Sequence, residues 1–450
     1  MSAYELAFRS ALFPLYETLL RRRSTLRYLR EYEASQWLPA DRIAELQWNK
    51  LQRLIAHCWR EVPYYRRRWK ELGLTPDDIQ SPADYAQLPT LTKPEIRACF
   101  DELHASSWRG KLLYKTTGGS TGEPMRFGYT RESYERRIAA MWRGYAWAGA
   151  RMGRRTLYLW GMSIGQPMRA HAIKDRLYHA AFNRHMLNAF LMSEERMPGY
   201  ADEIDAFRAE VIVAYAGPLL RMAEWLLANG RRVHRPQAIL SAAEALHESQ
   251  RAIIEKAFGC PVFNTYGCRE FMLIASECDQ RDGLHLTADH LAVELVGLQP
   301  NATGGQIGEI AVTDLHNYGM PLLRYLNGDL GTPSTKTCTC GRGLPLLQRV
   351  DGRKLDTLRT PAGHLLPGEF IVYAFLGIAS IKRYQVVQRE IGALDIHIVP
   401  DVGFDRAVLE QIRGEIGKAI GTSMELRFHL VDDIAASASG KFRVAICELH

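Results

Sequence analysis

The chain has 450 residues, 47% hydrophobic and 24% charged, a composition that excludes a disordered, collagen-like or coiled-coil protein. At about 150 residues per domain, this length predicts two or three domains. The 57 Lys and Arg residues exceed the 50 Asp and Glu residues by seven, which suits an anionic small molecule as well as a nucleic acid. Eight cysteines are too few for a secreted disulfide framework, and no apolar run predicts a transmembrane helix, so we expect a cytoplasmic protein.

The first 75 residues have apolar side chains at spacings of three and four, which predicts helices. This segment also carries two arginine-rich runs, at 21–30 and 66–70. Such runs are typical of solvated helical faces, and a phosphate-binding surface is the alternative. No zinc-finger or helix-turn-helix pattern accompanies them, so we expect no nucleic-acid partner.

Short apolar runs alternate with helical patterns in the middle of the chain. Four of these runs predict buried strands, at 156–160, 210–215, 237–242 and 260–267. The helical patterns between them end on glycine, as helices commonly do. This alternation predicts an α/β fold, in which mixed sheets are covered by helices. The alternating patterns at 290–297 and 308–315 predict an antiparallel, barrel-like section.

The composition changes near residue 350. Strand patterns at 381–390, 393–400 and 424–431 surround an amphipathic helical pattern at 404–421. These elements predict a small α+β domain at 352–450. The large N-terminal domain then covers 1–351, with 1–75 as its helical extension.

The glycine-rich turn at 116–122, Thr-Thr-Gly-Gly-Ser-Thr-Gly, has three glycines and four hydroxyl residues. This composition disfavours a helix or strand interior and favours a loop whose backbone N–H groups face one concavity. Such a loop suits polyphosphate, and a plain turn is the alternative. The lysine-terminated phosphate loop of common NTPases is absent.

Four further motifs follow the turn in order, at 266–270, 324–329, 351–353 and 439–443. Together the five motifs resemble the adenylate-forming superfamily of acyl-CoA synthetases, adenylation domains and luciferases. The resemblance is strongest to the phenylacetate–CoA ligase and capsule-biosynthesis branch, and it spans residues 114–443. It implies that 1–351 is an adenylation domain and that 352–450 is a mobile lid.

The resemblance implies that ATP and Mg²⁺ are bound by these motifs. The turn would close over the phosphates through Thr117, Gly118, Gly119, Ser120, Thr121 and Gly122. Tyr266, followed by Gly267, would lie near adenine, and Glu270 would bind Mg²⁺. The chain departs from the family at Glu123, where lysine is frequent, and at Arg269, where threonine is usual.

The remaining motifs imply contacts with the nucleoside and the reacting phosphorus. Ala243 and Glu244 would bracket adenine, with a simple strand end as the alternative. Asp329 would accept both ribose hydroxyls, and Arg353 would contact ribose or phosphate. Lys441 would bridge the attacking carboxylate and the α-phosphate as charge develops. Lys441, Glu270 and Arg353 are therefore the candidate catalytic residues.

A separate set of residues has the composition of a structural zinc site. Cys278 and His285 are separated by six residues, and Cys338 and Cys340 follow in a second polar segment. Three thiols and one imidazole form a closed tetrahedral set, so we expect structural Zn²⁺ without chemistry. Surface thiols without metal are the alternative.

The acid substrate should bind beside the turn, where two predicted strands end. The candidates are Trp160, Gly161, Tyr215, Ala216 and Gly217, whose aromatic members suit an aryl or other apolar acid. Ordinary core packing is the alternative.

These observations predict ATP-dependent conversion of a carboxylic acid to acyl-AMP with release of pyrophosphate. Transfer to a thiol of CoA or of a phosphopantetheine carrier protein would follow. AMP transfer to a phenol or amine, amide formation, and a non-catalytic role in polysaccharide assembly are the alternatives. The acid and the oligomeric state, including a homodimer, stay open.

Overall fold

The structure is a computed structural model. It describes residues 2–117, 125–161, 177–301, 305–354, 357–361, 365–366, 371, 374–375, 378, 380–420, 424–435 and 443–449. Among these residues, no helix has both the length and the apolar character needed to span a bilayer.

Helices dominate the first part of the chain. Four α-helices precede residue 75: α1 (Ala3–Ala7), α2 (Thr25–Ser35), α3 (Ala40–Glu61) and α4 (Pro63–Glu71). Two π-helical segments, Phe8–Leu12 and Leu15–Leu20, lie between α1 and α2. Two short helices follow, α5 (Pro82–Tyr85) and α6 (Lys93–Ala98). Thr92 caps α6 by accepting from the N–H of Glu95, whose carboxylate accepts from Thr92 in return.

A hairpin precedes the main sheet. Its strands β1 (Leu113–Thr116) and β2 (Arg126–Tyr129) pair antiparallel, with Thr116 opposite Arg126. The glycine-rich turn connects the two strands. Residues on both sides of it are hydrogen-bonded, because the Thr117 N–H donates to the Met125 carbonyl at 2.9 Å. The hairpin therefore holds Thr117 and Met125, on the two sides of the turn, next to each other.

One eleven-stranded mixed sheet forms the centre of the molecule, in the order β10-β11-β12-β13-β9-β8-β7-β6-β5-β3-β4. The strands at the β4 end, from β3 to β7, pair parallel: β3 (Thr156–Trp160), β4 (Arg184–Asn188), β5 (Val211–Tyr215), β6 (Ala238–Ala242) and β7 (Val262–Cys268). The others pair antiparallel: β8 (Met272–Glu277), β9 (Leu284–Leu286), β10 (Leu291–Pro300), β11 (Gln306–Asp314), β12 (Tyr325–Pro333) and β13 (Leu346–Arg353). The section expected to resemble a barrel is thus continuous with the parallel strands.

Helices cover both faces of the parallel strands. These helices are α7 (Arg131–Trp147), α8 (Met197–Phe207), α9 (Ala216–Ala228) and α10 (Glu248–Phe258). Ile212 on β5 faces α8, α9 and α10, whereas Val211 and Val213 face Tyr145 on α7. This alternation places an apolar residue on each face in turn, which explains the continuous apolar sequence of the strand.

Strand β9 is the narrowest point of this sheet. It has three residues and pairs with β13 through two residue pairs, Leu346 with His285 and Leu347 with Leu284. We call this contact the β9–β13 junction. It joins strands β10–β13 to the rest of the sheet.

The C-terminal part has its own sheet and core. After the small pair β14 (Leu358–Arg359) and β15 (Leu365–Leu366), four strands pair in the order β18-β17-β16-β19. They are β16 (Ile381–Glu390), β17 (Ala393–Pro400), β18 (Glu425–Leu430) and β19 (Ala445–Cys447). Ile412 and Ile416 of helix α11 (Ala407–Ile420) are fully buried in the core against this sheet.

Candidate active site

A buried hydrogen-bond network joins the motifs around Tyr266 and Asp329. The Tyr266 hydroxyl donates to Oδ2 of Asp329 at 2.8 Å and accepts from Nδ2 of Asn327 at 2.6 Å. The Asp329 N–H donates to Oδ1 of Asn327 at 3.0 Å, which completes the network. Tyr266 is on β7 and Asp329 on β12, and three strands separate β7 from β12 in the sheet. The sheet therefore curves enough to bring these two motifs together.

Glu270 makes a second link between the same segments. It lies in the turn between β7 and β8, and its Oε1 accepts from the Tyr325 hydroxyl at 2.9 Å. Both side chains are buried. Glycine is required at position 267, because a Cβ there would collide with the carbonyl oxygen of Met272. The tight turn thus presents Glu270 as a buried carboxylate with a fixed orientation.

The electrostatic environment of Asp329 contains charges of both signs. Burial raises the pKa of Asp329 above its ordinary value, and the nearby charge of Glu270 acts in the same direction. Arg353, Tyr266 and Lys93 oppose this shift. Arg353 lies across from Asp329, on the neighbouring strand β13. A partly buried carboxylate with a cation and a hydroxyl donor beside it can also accept the two hydrogen bonds of a diol.

The carboxyl ends of the parallel strands carry the predicted acid-pocket residues. Trp160 ends β3 and Tyr215 ends β5, and their ring centroids are 4.3 Å apart. The N–H of Gly217, at the start of α9, donates to Oε2 of Glu244 at 2.7 Å. Ala243 has a φ of 65°, a strained conformation for a residue with a side chain, and it turns the chain sharply after β6. These residues therefore form one group at one edge of the sheet.

Phe190 forms part of the same group, although no sequence pattern indicated it. Its ring centroid is 6.3 Å from that of Tyr215. A Cβ at Gly161 would collide with the Phe190 ring, so only glycine allows this close approach. Ala216 is fully buried behind the group. Three aromatic rings thus surround the ends of β3 and β5.

Two parts of the predicted site lie outside the described residues. They are the tip of the glycine-rich turn, Gly118 to Gly122, and the C-terminal Lys441. Thr117 is described, and its Oγ1 accepts from the Met125 N–H at 2.8 Å. Arg126, on the other side of the turn, lies with its guanidinium 4.2 Å from the centre of the Tyr114 ring.

Known proteins with similar sequences belong to two named groups. The chain is 28% identical over 372 residues to a phenylacetate-coenzyme A ligase of Thermus thermophilus, covering 80% of this chain and 81% of that one. It is 25% identical over 433 residues to the protein CapK of Staphylococcus aureus, covering 93% of both chains. Residues 358–448 match the family model of the CapK C-terminal domain.

A solved structure has the same fold. A 2-hydroxyisobutyryl-CoA ligase in the postadenylation state superposes with a TM-score of 0.72, at 18% identity, over 92% of this chain and 91% of that one. This fold and the two groups of relatives agree with the ordered motifs. Together these findings support a similarity to the adenylate-forming superfamily, in its phenylacetate–CoA ligase and CapK branch.

The structure also brings together cations that sequence reasoning missed. Lys115 precedes the glycine-rich turn, and Arg137 is a buried residue of α7. Their charged groups lie 5.6 Å and 4.4 Å from the centre of the Tyr129 ring. Burial lowers the pKa of Lys115, and the positive charges of Arg137 and Arg269 add to this. Arg269 therefore lies close enough to Lys115 for their charges to interact.

Tyr325 and Asn327 were also missed, although the sequence contained a signal for them. They alternate with Asp329 on β12, and alternate residues of a strand point to the same face. Arg137 had no comparable signal. It is one of three buried arginines on α7, and only the packing of that helix shows which of them lies against the Tyr129 ring.

The predicted zinc ligands converge. The ligand atoms of Cys278, His285, Cys338 and Cys340 all lie within 4.8 Å of one another. The sulfurs of Cys278 and Cys338 are 3.6 Å apart, and Nε2 of His285 is 3.3 Å from the sulfur of Cys340. We call this group the Cys₃His cluster. It adjoins the β9–β13 junction, because His285 is the central residue of β9.

The surroundings of the Cys₃His cluster favour metal binding. Nδ1 of His285 donates to the Leu344 carbonyl at 3.0 Å, which leaves the lone pair of Nε2 facing the sulfurs. The backbone N–H groups of Gln280 and Arg342 donate to the sulfurs of Cys278 and Cys340, each at 3.4 Å. Such bonds stabilise thiolates, the form in which cysteine binds metal.

A buried ion pair supports the strand that carries Tyr266. Arg251 of α10 makes a bidentate contact with Glu277 of β8, at 2.7 and 3.0 Å. The same carboxylate accepts from the N–H of Asn264 on β7 at 2.7 Å. One carboxylate thus joins a helix and two strands directly beneath the candidate site.

Proposed function

We propose that this protein activates a carboxylic acid with ATP and then transfers the acyl group to CoA. In the first step a carboxylate oxygen attacks the α-phosphorus of ATP, so that acyl-AMP forms and pyrophosphate leaves. In the second step the thiol of CoA attacks the acyl carbon, giving a thioester and AMP. The observation that carries this proposal is the convergence of Tyr266, Glu270, Asp329 and Arg353 at one place.

The nucleoside would occupy the region around Asp329. Its carboxylate would accept both ribose hydroxyls, and the ring of Tyr266 would pack near adenine. Arg353 would contact the ribose or a phosphate. Ala243 and Glu244 would border the adenine from the parallel strands. The bond between Tyr266 and Asp329 supports this arrangement, because it fixes both groups before a nucleotide binds.

Glu270 is the residue proposed to hold Mg²⁺. A buried carboxylate oriented by Tyr325 has the oxygen chemistry that Mg²⁺ requires, so the residue fits the ion. When bound, Mg²⁺ would neutralise phosphate charge that would otherwise repel the attacking carboxylate. Arg269 and Lys115 would add positive charge on the side of the turn. This supplies cations near the phosphates although the frequent lysine is replaced by Glu123.

The acid would bind where Trp160, Tyr215 and Phe190 surround the ends of β3 and β5. Gly161, Ala216 and Gly217 would leave room beside these rings. An aryl or other apolar acid suits this environment, since aromatic side chains bind flat apolar groups well. Lys441 would reach the carboxylate and the α-phosphate from the C-terminal part. The domain boundary after residue 351, with a lid that moves between the two steps, belongs to the same proposal.

The Cys₃His cluster would hold one structural Zn²⁺. Its four ligands form a closed set, so the metal would leave no position for substrate. Metal analysis of the purified protein should find about one zinc per chain. Cys278→Ser should lose it, whereas Cys99→Ser, outside the cluster, should retain it. Equal zinc in both variants, or none in the wild type, would contradict this assignment.

The activity is tested by incubating the protein with ATP, Mg²⁺ and a panel of aryl and aliphatic acids. Pyrophosphate release that depends on one acid is expected, and CoA should convert the product to a thioester. Lys441→Ala should abolish pyrophosphate release, and Lys382→Ala, in the same part of the chain, should not. ATP cleavage with no acid dependence, or none with any acid, would argue against the proposal.

The same assay distinguishes the acceptors. A CoA thioester supports the proposed second step, and acyl transfer to a phosphopantetheine carrier would place the reaction on a protein partner. An amide formed with an added amine would indicate amide synthesis, and AMP retained in the final product would indicate nucleotidyl transfer. Because these reactions consume ATP, and most use CoA, we further propose a cytoplasmic location.

A further inference from the structure

The first twenty residues expose an unusual number of large apolar side chains. Leu6, Leu12, Leu15, Leu19 and Leu20 are between 49% and 72% exposed. We call these five residues the leucine face. They lie on α1 and on the two π-helical segments that follow it. Solvent-exposed leucines are common singly, but a run of five on one segment indicates an interaction surface.

The opposite side of this segment is firmly packed. Phe8 and Phe13 are buried, and the ring of Phe182 lies 5.0 and 5.7 Å from theirs. The Tyr4 hydroxyl donates to the Ala181 carbonyl at 2.6 Å. The segment is therefore attached to the body by one side. In this arrangement the leucine face cannot turn inward without breaking these contacts.

The charges of the segment are also divided between its two sides. Residues 1–30 contain six arginines and two glutamates. Both glutamates, Glu5 and Glu17, are buried, with 2% and 3% exposure. Glu17 accepts from the Thr25 hydroxyl at 2.7 Å, and Arg23 lies 3.6 Å from it. The negative charge is thus turned inward and neutralised.

Four of the arginines are exposed beside the leucine face: Arg21, Arg22, Arg27 and Arg30. We call them the arginine cluster. Arg131 donates hydrogen bonds to the carbonyls of Arg21 and Arg22. Arg22 has a φ of 51°, so the chain turns sharply there, and α2 begins three residues later. Residues 2–30 consequently expose leucine and arginine, and the nearest exposed acids along the chain are Glu31 and Glu33 of α2.

We propose that the leucine face and the arginine cluster bind the surface of an anionic lipid bilayer. The leucines would enter the boundary between headgroups and acyl chains, and the arginines would contact lipid phosphates. A second copy of the chain fits less well. A two-fold contact through this side would bring the four arginines of one copy near the same four of the other, which like-charge repulsion opposes.

The test is co-sedimentation of the full-length protein with phosphatidylcholine vesicles, with and without phosphatidylglycerol. Wild-type protein should bind the anionic vesicles about tenfold or more tightly than the neutral ones, and added salt should weaken this binding. Leu19→Ser/Leu20→Ser and Arg21→Gln/Arg22→Gln should each reduce binding about tenfold. These side chains are exposed, so circular dichroism and thermal unfolding should match the wild type.

Leu298→Ser/Leu430→Ser is the matched control, since both leucines are exposed, at 47% and 44%, and lie outside the segment. This variant should bind vesicles like the wild type. Absence of wild-type binding to anionic vesicles would overturn the proposal, as would equal binding by all variants. A dimer in sedimentation velocity that Leu19→Ser/Leu20→Ser dissociates, without vesicle binding, would show a contact between copies instead.

Discussion

Asp329→Asn tests the proposed ribose contact directly, because it replaces one oxygen by an NH₂ group and keeps the side-chain shape. In the structure Asp329 accepts from Tyr266 at 2.8 Å and lies across from Arg353. The two ribose hydroxyls would add two donors to this carboxylate. The amide keeps one acceptor oxygen and has no charge. One ribose bond is therefore lost, and the other changes from a charged to a neutral hydrogen bond.

The expected loss follows from these two changes. A hydrogen bond to a charged group contributes about 1.5–3 kcal/mol, and a neutral one about 0.5–1.5 kcal/mol. Loss of one bond and weakening of the other should therefore reduce the binding free energy by about 2.5–4.5 kcal/mol, or about 70- to 2,000-fold in Kd.

Titration calorimetry of wild type and Asp329→Asn with ATP and with its 2′,3′-dideoxy analogue isolates this contact as a double-mutant cycle. The wild type should strongly prefer ATP, and the variant should retain only the small preference that one neutral hydrogen bond provides. Glu309→Gln is the control, because Glu309 is on the neighbouring strand β11 and pairs with Lys354 instead. If Asp329→Asn retains the full preference for ATP, the ribose binds elsewhere and the reasoning is wrong.

Lower pH should weaken the binding of adenosine, because Asp329, whose pKa is raised, takes up a proton and a protonated acid accepts hydroxyl hydrogen bonds poorly. Calorimetry should show this pH dependence in the wild type and none in Asp329→Asn. Arg251→Met should lower the free energy of unfolding by about 3–5 kcal/mol, because Glu277 keeps a buried charge without its partner. The double variant Arg251→Met/Glu277→Leu should recover most of the lost free energy of unfolding, as measured by urea denaturation. No recovery would contradict the ion-pair explanation. Gly161→Ala should reduce kcat/KM more for bulky acids than for short ones, because the new methyl group displaces the Phe190 ring that borders the proposed acid pocket. An equal loss for all acids would place the pocket elsewhere.

Much of the fold was predictable because several strands have strong local patterns. The runs at 156–160, 381–390 and 393–400 have the same bounds as β3, β16 and β17. The runs at 156–160 and 393–400 are flanked by glycine or charged residues, so both their type and their ends are defined locally. The superfamily, too, could be recognised from five short motifs, because their order along the chain is far more specific than any one of them.

The arrangement of the site was less accessible to sequence reasoning. Tyr266 reaches Asp329 only because the sheet curves across three intervening strands, and curvature is a property of the whole sheet. Phe190 lies in a short 3₁₀ turn with no periodic pattern. The roles proposed for Lys441 and for the glycine-rich turn stay predictions, because those residues lie outside the described part of the chain.

The β9–β13 junction also affects how the candidate nucleotide site unfolds. Two residue pairs join the strands that carry Asp329 to those that carry Tyr266 within the sheet, and a shared hydrophobic core and the Tyr266–Asp329 and Glu270–Tyr325 hydrogen bonds add to this contact. The Cys₃His cluster lies at the same point, so a bound metal would cross-link the two groups of strands. Oxidation or chelation of its thiols would remove that cross-link and lower the temperature at which the nucleotide site unfolds.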